Sequence, residues 1–265
     1  MHRTLSARLG ATLVTPTDVV LAVAIHPSLE PVGAVTATLG GAPVTLREVL
    51  DDNGGVLHCA DRLGPGELLV SYAARVIDRA APLAPSDLDP IRYLRPSRYA
   101  ESDRLSPTAR TEFAGLSGVA LLDAVSSWVG QHLAYVSGSS RPTDGAVNTL
   151  LARQGVCRDF AHLCIALLRA CGVPARLVSV YAPGLQPMDF HAVAEALIDG
   201  EWLVVDATTL APRSSLVRIA TGRDASDTAF LTTTGGSAEL TAIEVWAVCD
   251  DGLPDDDLTS PVRLG

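Results

Sequence analysis

Three residues of this chain combine the types needed for acyl chemistry: Cys157, His191 and Asp206. Cys157 follows Gly155-Val156 and precedes an apolar run, Ala161 to Cys171, that Gly172 and Pro174 should stop as a helix stops. The thiol then sits in the first turn. There the unpaired backbone N–H groups and the positive end of the helix macrodipole favour a thiolate, and the same N–H groups can donate to a developing oxyanion. Phe160, Leu163, Ile165, Leu167 and Leu168 fall on several faces, so the helix is expected to run through the interior and hold its first residue rigidly.

The other two residues flank a hairpin signal. Phe190 to Ile198 and Glu201 to Asp206 read as strands around Asp199-Gly200, a dipeptide suited to a two-residue turn. Pairing Ile198 with Glu201 sets His191 opposite Thr208 and Val193 opposite Asp206. His191 and Asp206 become diagonal neighbours on one face, roughly 7–8 Å apart at the backbone and within side-chain reach. An imidazole beside a thiol can take its proton and return it to a leaving group, while a carboxylate fixes the imidazole's tautomer.

Plainer readings exist for each residue: a cysteine is often a small buried hydrophobe, and the histidine and aspartate could be unrelated surface groups. Cys164 and Cys171 lie at seven-residue steps from Cys157, roughly 10 Å apart along a helix. They can neither pair nor share a metal, and read as core. His162 points about 140° away from Cys157 and reads as structural. No paired cysteine spacing or helical histidine pair draws a zinc site, so neither metal nor cofactor is expected.

The elements that must position these groups follow from the pattern. Residues 1–80 read as a β-rich, sandwich-like domain, with Leu68, Val70, Tyr72 and Ala74 alternating against Leu69, Ser71, Ala73 and Arg75. Residues 81–107 form a proline-rich connector whose Ile91, Tyr93, Leu94 and Tyr99 should lie along the second domain. Helical patterning starts at Ser106-Pro107 and runs through Leu121, Leu122, Val125, Trp128, Val129 and Leu133, with a short helix over Ala146 to Arg153. The catalytic domain is placed at 108–249, and the acidic tail at 250–265 reads as a solvated segment.

Composition narrows the partners. The chain is 48% hydrophobic and 19% charged, a globular balance, with no apolar run long enough to span a membrane. A net charge of -10 disfavours nucleic acid and anionic membrane surfaces. Five cysteines without framework spacing and no secretory pattern at Met1 to Ser6 point to reduced thiols and a cytoplasmic location.

The ordered set Gly155-Val156-Cys157-Arg158-Asp159-Phe160-Ala161, Leu168 to Arg176, Phe190-His191-Ala192 and Val205-Asp206-Ala207-Thr208 resembles the transglutaminase-like core of bacterial proteins over about residues 117–230. The resemblance implies an α+β, papain-like fold, a central helix packed on an antiparallel sheet, and carries a catalytic cysteine, histidine and aspartate onto Cys157, His191 and Asp206. It implies acyl transfer through a thioester, resolved by water or by an amine. Val193 stands where many members carry tryptophan, which suggests an altered cleft wall. Tyr135 and Thr143 are candidate oxyanion donors beside the Cys157 backbone N–H. Gly222-Arg223-Asp224 and Asp227 resemble a family loop with a structural role.

The sequence therefore predicts a thiol hydrolase of peptide or isopeptide amides acting on a peptide or protein substrate. A glutamine-directed transglutaminase is the alternative, and a non-catalytic scaffold on the same fold a further one. Substrate identity lies in cleft-lining loops whose pairing the pattern does not determine, and the pattern leaves the oligomeric state open.

Overall fold

The computed structural model describes residues 1–264. Seven strands come first: β1 (His2–Leu13), β2 (Thr17–Leu21), β3 (Val32–Leu39), β4 (Ala42–Val44), β5 (Arg47–Leu50), β6 (Val56–Leu63) and β7 (Gly66–Ile77). There follow α1 (Asp89–Arg92), α2 (Ser102–Glu112), α3 (Gly118–His132), β8 (Ala134–Tyr135), α4 (Ala146–Ala152), β9 (Gln154–Gly155) and α5 (Cys157–Ala170). The chain ends with β10 (Ala175–Tyr181), β11 (Phe190–Ile198), β12 (Glu201–Val205), β13 (Val217–Gly222), α6 (Ala225–Thr228), β14 (Leu231–Thr234) and β15 (Ala238–Cys249).

Helix α5 is the centre of the α+β core. Every residue from Asp159 to Arg169 is buried, as a helix apolar on all sides requires. It packs on α2, α3 and α4 and on the antiparallel sheet β12-β11-β10-β13. Gly172, at φ 83°, ends it as expected: the Val173 N–H returns to the Leu168 carbonyl at 3.0 Å. Arg169, buried in the last turn, donates to the carbonyls of Ala175, Arg95 and Arg223 and so pins the connector and the 223 loop to the helix end.

The hairpin has the register read from its turn. Ile198 pairs with Glu201 and Ala194 with Val205, and Asp199 and Gly200 both take positive φ, the two left-handed residues of a type I′ turn.

The β-rich part comprises two sheets, β15-β1-β7-β3-β4 and β14-β2-β6-β5. In β7 the residues Leu68, Val70, Tyr72 and Ala74 are buried and their neighbours exposed, matching the alternation. The boundary at 249 needs correction. β14 pairs with β2 and β15 runs the length of β1, so residues 231–249 belong to the N-terminal sheets. The apolar core of those sheets also takes in Tyr181, Val217, Ile219 and Ala220 from the second sheet. The two parts thus share one interior.

Three further expectations change. The helix expected from Pro107 starts at Ser102 and holds Pro107 inside, then breaks over 113–117, where Gly115 takes φ 78°. In the connector, Tyr93 is buried edge-on to Trp202 and Tyr99 stacks on His162, whereas Ile91 and Leu94 are exposed. The acidic tail is not simply solvated. Asp256 is held by Arg213, the Val262 carbonyl accepts the Val204 N–H at 2.8 Å, and Leu264 is buried. β12 lies at the edge of its sheet, and an edge strand leaves backbone donors for such a segment to take.

Candidate active site

Cys157 is the first residue of α5, and local chemistry fixes that start. Val156, the N-cap, has no side-chain acceptor, so Asp159 provides the return half of a capping box, its Oδ2 accepting the Val156 N–H at 2.9 Å. Asp159 Oδ1 accepts the Ser140 hydroxyl at 3.0 Å, and Arg158 donates to the Arg141 carbonyl at 2.7 Å. The 136–141 loop is thereby tied to the helix start. Gly155 is required for close approach: a Cβ there would lie 2.6 Å from Asp159 Cβ. The first-turn N–H of Cys157 has no intrahelical acceptor to satisfy it.

His191 and Asp206 meet as the hairpin register requires. His191 Nε2 donates to Asp206 Oδ2 at 2.9 Å, and both residues are buried. Asp206 Oδ1 accepts the Thr208 N–H at 2.9 Å and the Thr208 hydroxyl at 2.6 Å. Burial opposes the Asp206 charge, but the His191 charge and the Thr208 donors overcome it and lower the carboxyl pKa. For His191, burial again disfavours charge, while Asp206 and then the Cys157 thiol raise the imidazole to about 10. Its Nδ1 is buried and makes no hydrogen bond in this resting geometry.

Tyr135 joins this cluster. Burial first, then the charge of neighbouring Cys157, pushes its phenol up to about 12, and Cys157 acts on the hydroxyl through both backbone and thiol. Its ring leans on Phe160, one turn beyond Cys157, with centroids 5.9 Å apart. Thr143 is not brought to the cluster: it is exposed in the loop before α4, and its carbonyl takes Arg98.

Two neighbours have roles that the sequence reading does not assign. Thr208 holds Asp206 through an Asp-Ala-Thr turn, a local pattern that could have flagged it. Asp189 lies two residues before His191 at the surface, partly shielded. Burial raises its carboxyl on balance, against the opposing Phe190 N–H and His191 charge, and its own charge also acts on Tyr135.

The remaining candidates are structural. Cys164 is fully buried, and burial pushes its thiol up; burial does the same for Cys171. His162 is held neutral by burial, at about 3, and accepts the Ala225 N–H at 3.1 Å. Asp224 caps α6 and accepts the Tyr99 N–H, while Arg223 and Asp227 pair with each other. Val193, where the resemblance suggested an altered cleft wall, is buried with Val178 and Val204. Among the described residues no group of three or more His, Cys, Asp or Glu converges as metal ligands would, and no helix is long and apolar enough to cross a membrane.

A groove of about 510 Å³ runs beside the cluster, lined there by Tyr135, Phe160, Asp206 and Thr208 but not by Cys157 or His191. Two larger depressions, one beside α1 and one on the five-stranded sheet, contain none of these residues.

The model of the transglutaminase-like superfamily matches residues 113–207, which span α3 to the Asp206 turn. An uncharacterized protein of Mycobacterium leprae is 29% identical over 117 residues, covering 40% of this chain and 41% of that protein. An uncharacterized Mycobacterium tuberculosis protein is 46% identical over 63 residues, 24% of this chain and 20% of its own length. The chain thus matches well under half the length of these two relatives. A crystal structure described as a "Putative Cysteine Protease" from Cytophaga hutchinsonii superposes with a TM-score of 0.88 at 31% identity, covering 100% of this chain and 98% of the other. With a likeness of that extent, and the family model centred on the helix and hairpin, the chain belongs to the transglutaminase-like superfamily.

Proposed function

We propose that the chain is a thiol acyl-transfer enzyme that hydrolyses peptide or isopeptide amide bonds through a thioester on Cys157. The observation that carries this reading is the buried His191–Asp206 pair beside a cysteine at a helix start, with Nδ1 of the histidine left unbonded.

In this mechanism the thiol proton passes to His191 before substrate arrives, and Cys157 Sγ, paired with the resulting imidazolium, attacks the carbonyl carbon. The oxyanion that forms accepts from the Cys157 N–H and from the Tyr135 hydroxyl. The C–N bond breaks, and the leaving amine takes the proton from His191. Water then gives a proton to His191 and its oxygen attacks the thioester carbon. The acid departs, and the proton returns to sulfur. Asp206 holds the imidazole and stabilises its charged form throughout.

Asp189 favours a second outcome of the same thioester. A carboxylate whose charge acts on both His191 and Tyr135 can attract a cationic primary amine, which, after losing its extra proton to solvent, attacks the thioester carbon in place of water and passes a second proton through His191 to the departing sulfur. Competition decides between them. Incubating the protein with a glutamine-containing peptide and a primary amine, with products read by mass, should give acid in excess of amide. Amide formed faster than any hydrolysis would reverse that order, and turnover retained by Cys157→Ala would sink both.

A further inference from the structure

The groove beside the catalytic cluster has two walls of different origin. One is α3, with Asp123, Ser126 and Ser127 facing it; the other is the tail segment Leu258 to Pro261. That segment is braced. Asp256 accepts the Arg213 backbone N–H at 2.8 Å and its guanidinium at 2.7 and 3.0 Å, and Arg213 also donates to the Ser260 carbonyl at 3.2 Å. Asp257 Oδ1 takes the N–H groups of Thr259 and Ser260, and Leu264 is buried just beyond. Residues 256–260, held by these directed bonds, make a braced wall.

The charges lining the groove are nearly all compensated. Asp206 is matched by His191 and Arg213 by Asp256. Asp123 is exposed and has no ion pair among the described residues. The groove therefore presents one uncompensated negative charge to whatever occupies it, and Tyr135 and Asp206 are among the residues that line it.

We propose that residues 258–261, latched by Arg213 and Asp256, form one wall of the substrate groove, and that the groove takes a polypeptide segment carrying a basic side chain beside Asp123. This rests on the acyl-transfer reading for the identity of the occupant. An acidic side chain is repelled at the same position, so the groove selects by charge as well as by shape.

Binding to the full chain carrying Cys157→Ala tests this without any turnover. Backbone amide shifts are followed while acetyl-Ala-Lys-Ala-amide or acetyl-Ala-Glu-Ala-amide is added. The lysine peptide should move the amides of α3 and of 258–261 and bind about fivefold tighter than the glutamate peptide at low salt, the difference shrinking as salt rises. Asp123→Asn should erase the preference. Asp256→Ala should weaken both peptides, and so should Ser127→Trp, a filling substitution at an exposed helix position that serves should Asp256→Ala fail to fold. Equal binding of the two peptides overturns the proposal, as do absent shifts around the groove or unchanged affinity in both wall variants. Alkylation of Cys157 by iodoacetamide reads the thiol alone, so failure of the catalytic reading and failure of the groove are separable.

Discussion

At the scale of residues, the account turns on one buried pair. Because His191 is raised to about 10, its charged form contributes stability that is fully present below the ordinary imidazole value of 6.5 and is lost as pH rises through 10. The lowered Asp206 works oppositely, its contribution being lost as pH falls below the ordinary carboxylate range. Removing the carboxylate by Asp206→Ala leaves a buried imidazole without its counter-ion and should cost about 3–5 kcal/mol in urea denaturation near pH 6. That penalty should shrink steadily between pH 6.5 and 10. In the wild type, nitrogen shifts of His191 should report a protonated ring at pH 8, whereas a neutral ring there would contradict the raised imidazole value. Thr208→Val removes a donor to a charged acceptor and should cost about 1.5–3 kcal/mol, with the His191 titration moving down as Asp206 loses its support.

At the scale of elements, what could be read in the sequence was whatever is fixed by neighbours in the chain. Helix α5 was legible because Gly172 and Pro174 stop it within a few residues, and the β11–β12 register because Asp199-Gly200 admits one tight turn. From that register the His191–Asp206 contact could be written down. The start of α2 lies ahead of Pro107 because proline marks a helix start only as a preference, and here it sits inside the helix. The bracing of α5 by Asp159, Ser140 and Arg158 joins a loop to a helix across 17 to 19 residues and left no periodic trace. Two glycines mark close approaches around the site. Gly155→Ala should drive a methyl into Asp159, loosen the helix start and reduce turnover more than it lowers the melting temperature. At Gly130 a Cβ would lie 2.9 Å from the Ala207 carbonyl, so Gly130→Ala should push α3 off the Asp206 turn at a cost of about 1–3 kcal/mol, read as a lowered denaturation midpoint.

At the scale of the whole molecule, the long-range pairings were invisible to a reading by local pattern. β15 returns to β1 across more than the full length of the catalytic core, and Asp256 finds Arg213 from 43 residues away. An acidic run looks solvated until its cation is known. Because Tyr181, Val217 and Ile219 are buried against the N-terminal sheets, a fragment of residues 81–230 should lack a cooperative thermal transition, while the full chain melts as one unit. A sharp independent transition in that fragment would show that the shared interior is dispensable. The central claim, that this whole frame exists to present a reactive Cys157 to His191, is tested most directly by the rate at which iodoacetamide labels each cysteine near pH 6, read by peptide mass. Labelling of Cys157 should far outpace that of Cys59 and slow sharply in His191→Ala; a Cys157 that labels no faster than Cys59, or that is indifferent to His191, would contradict it.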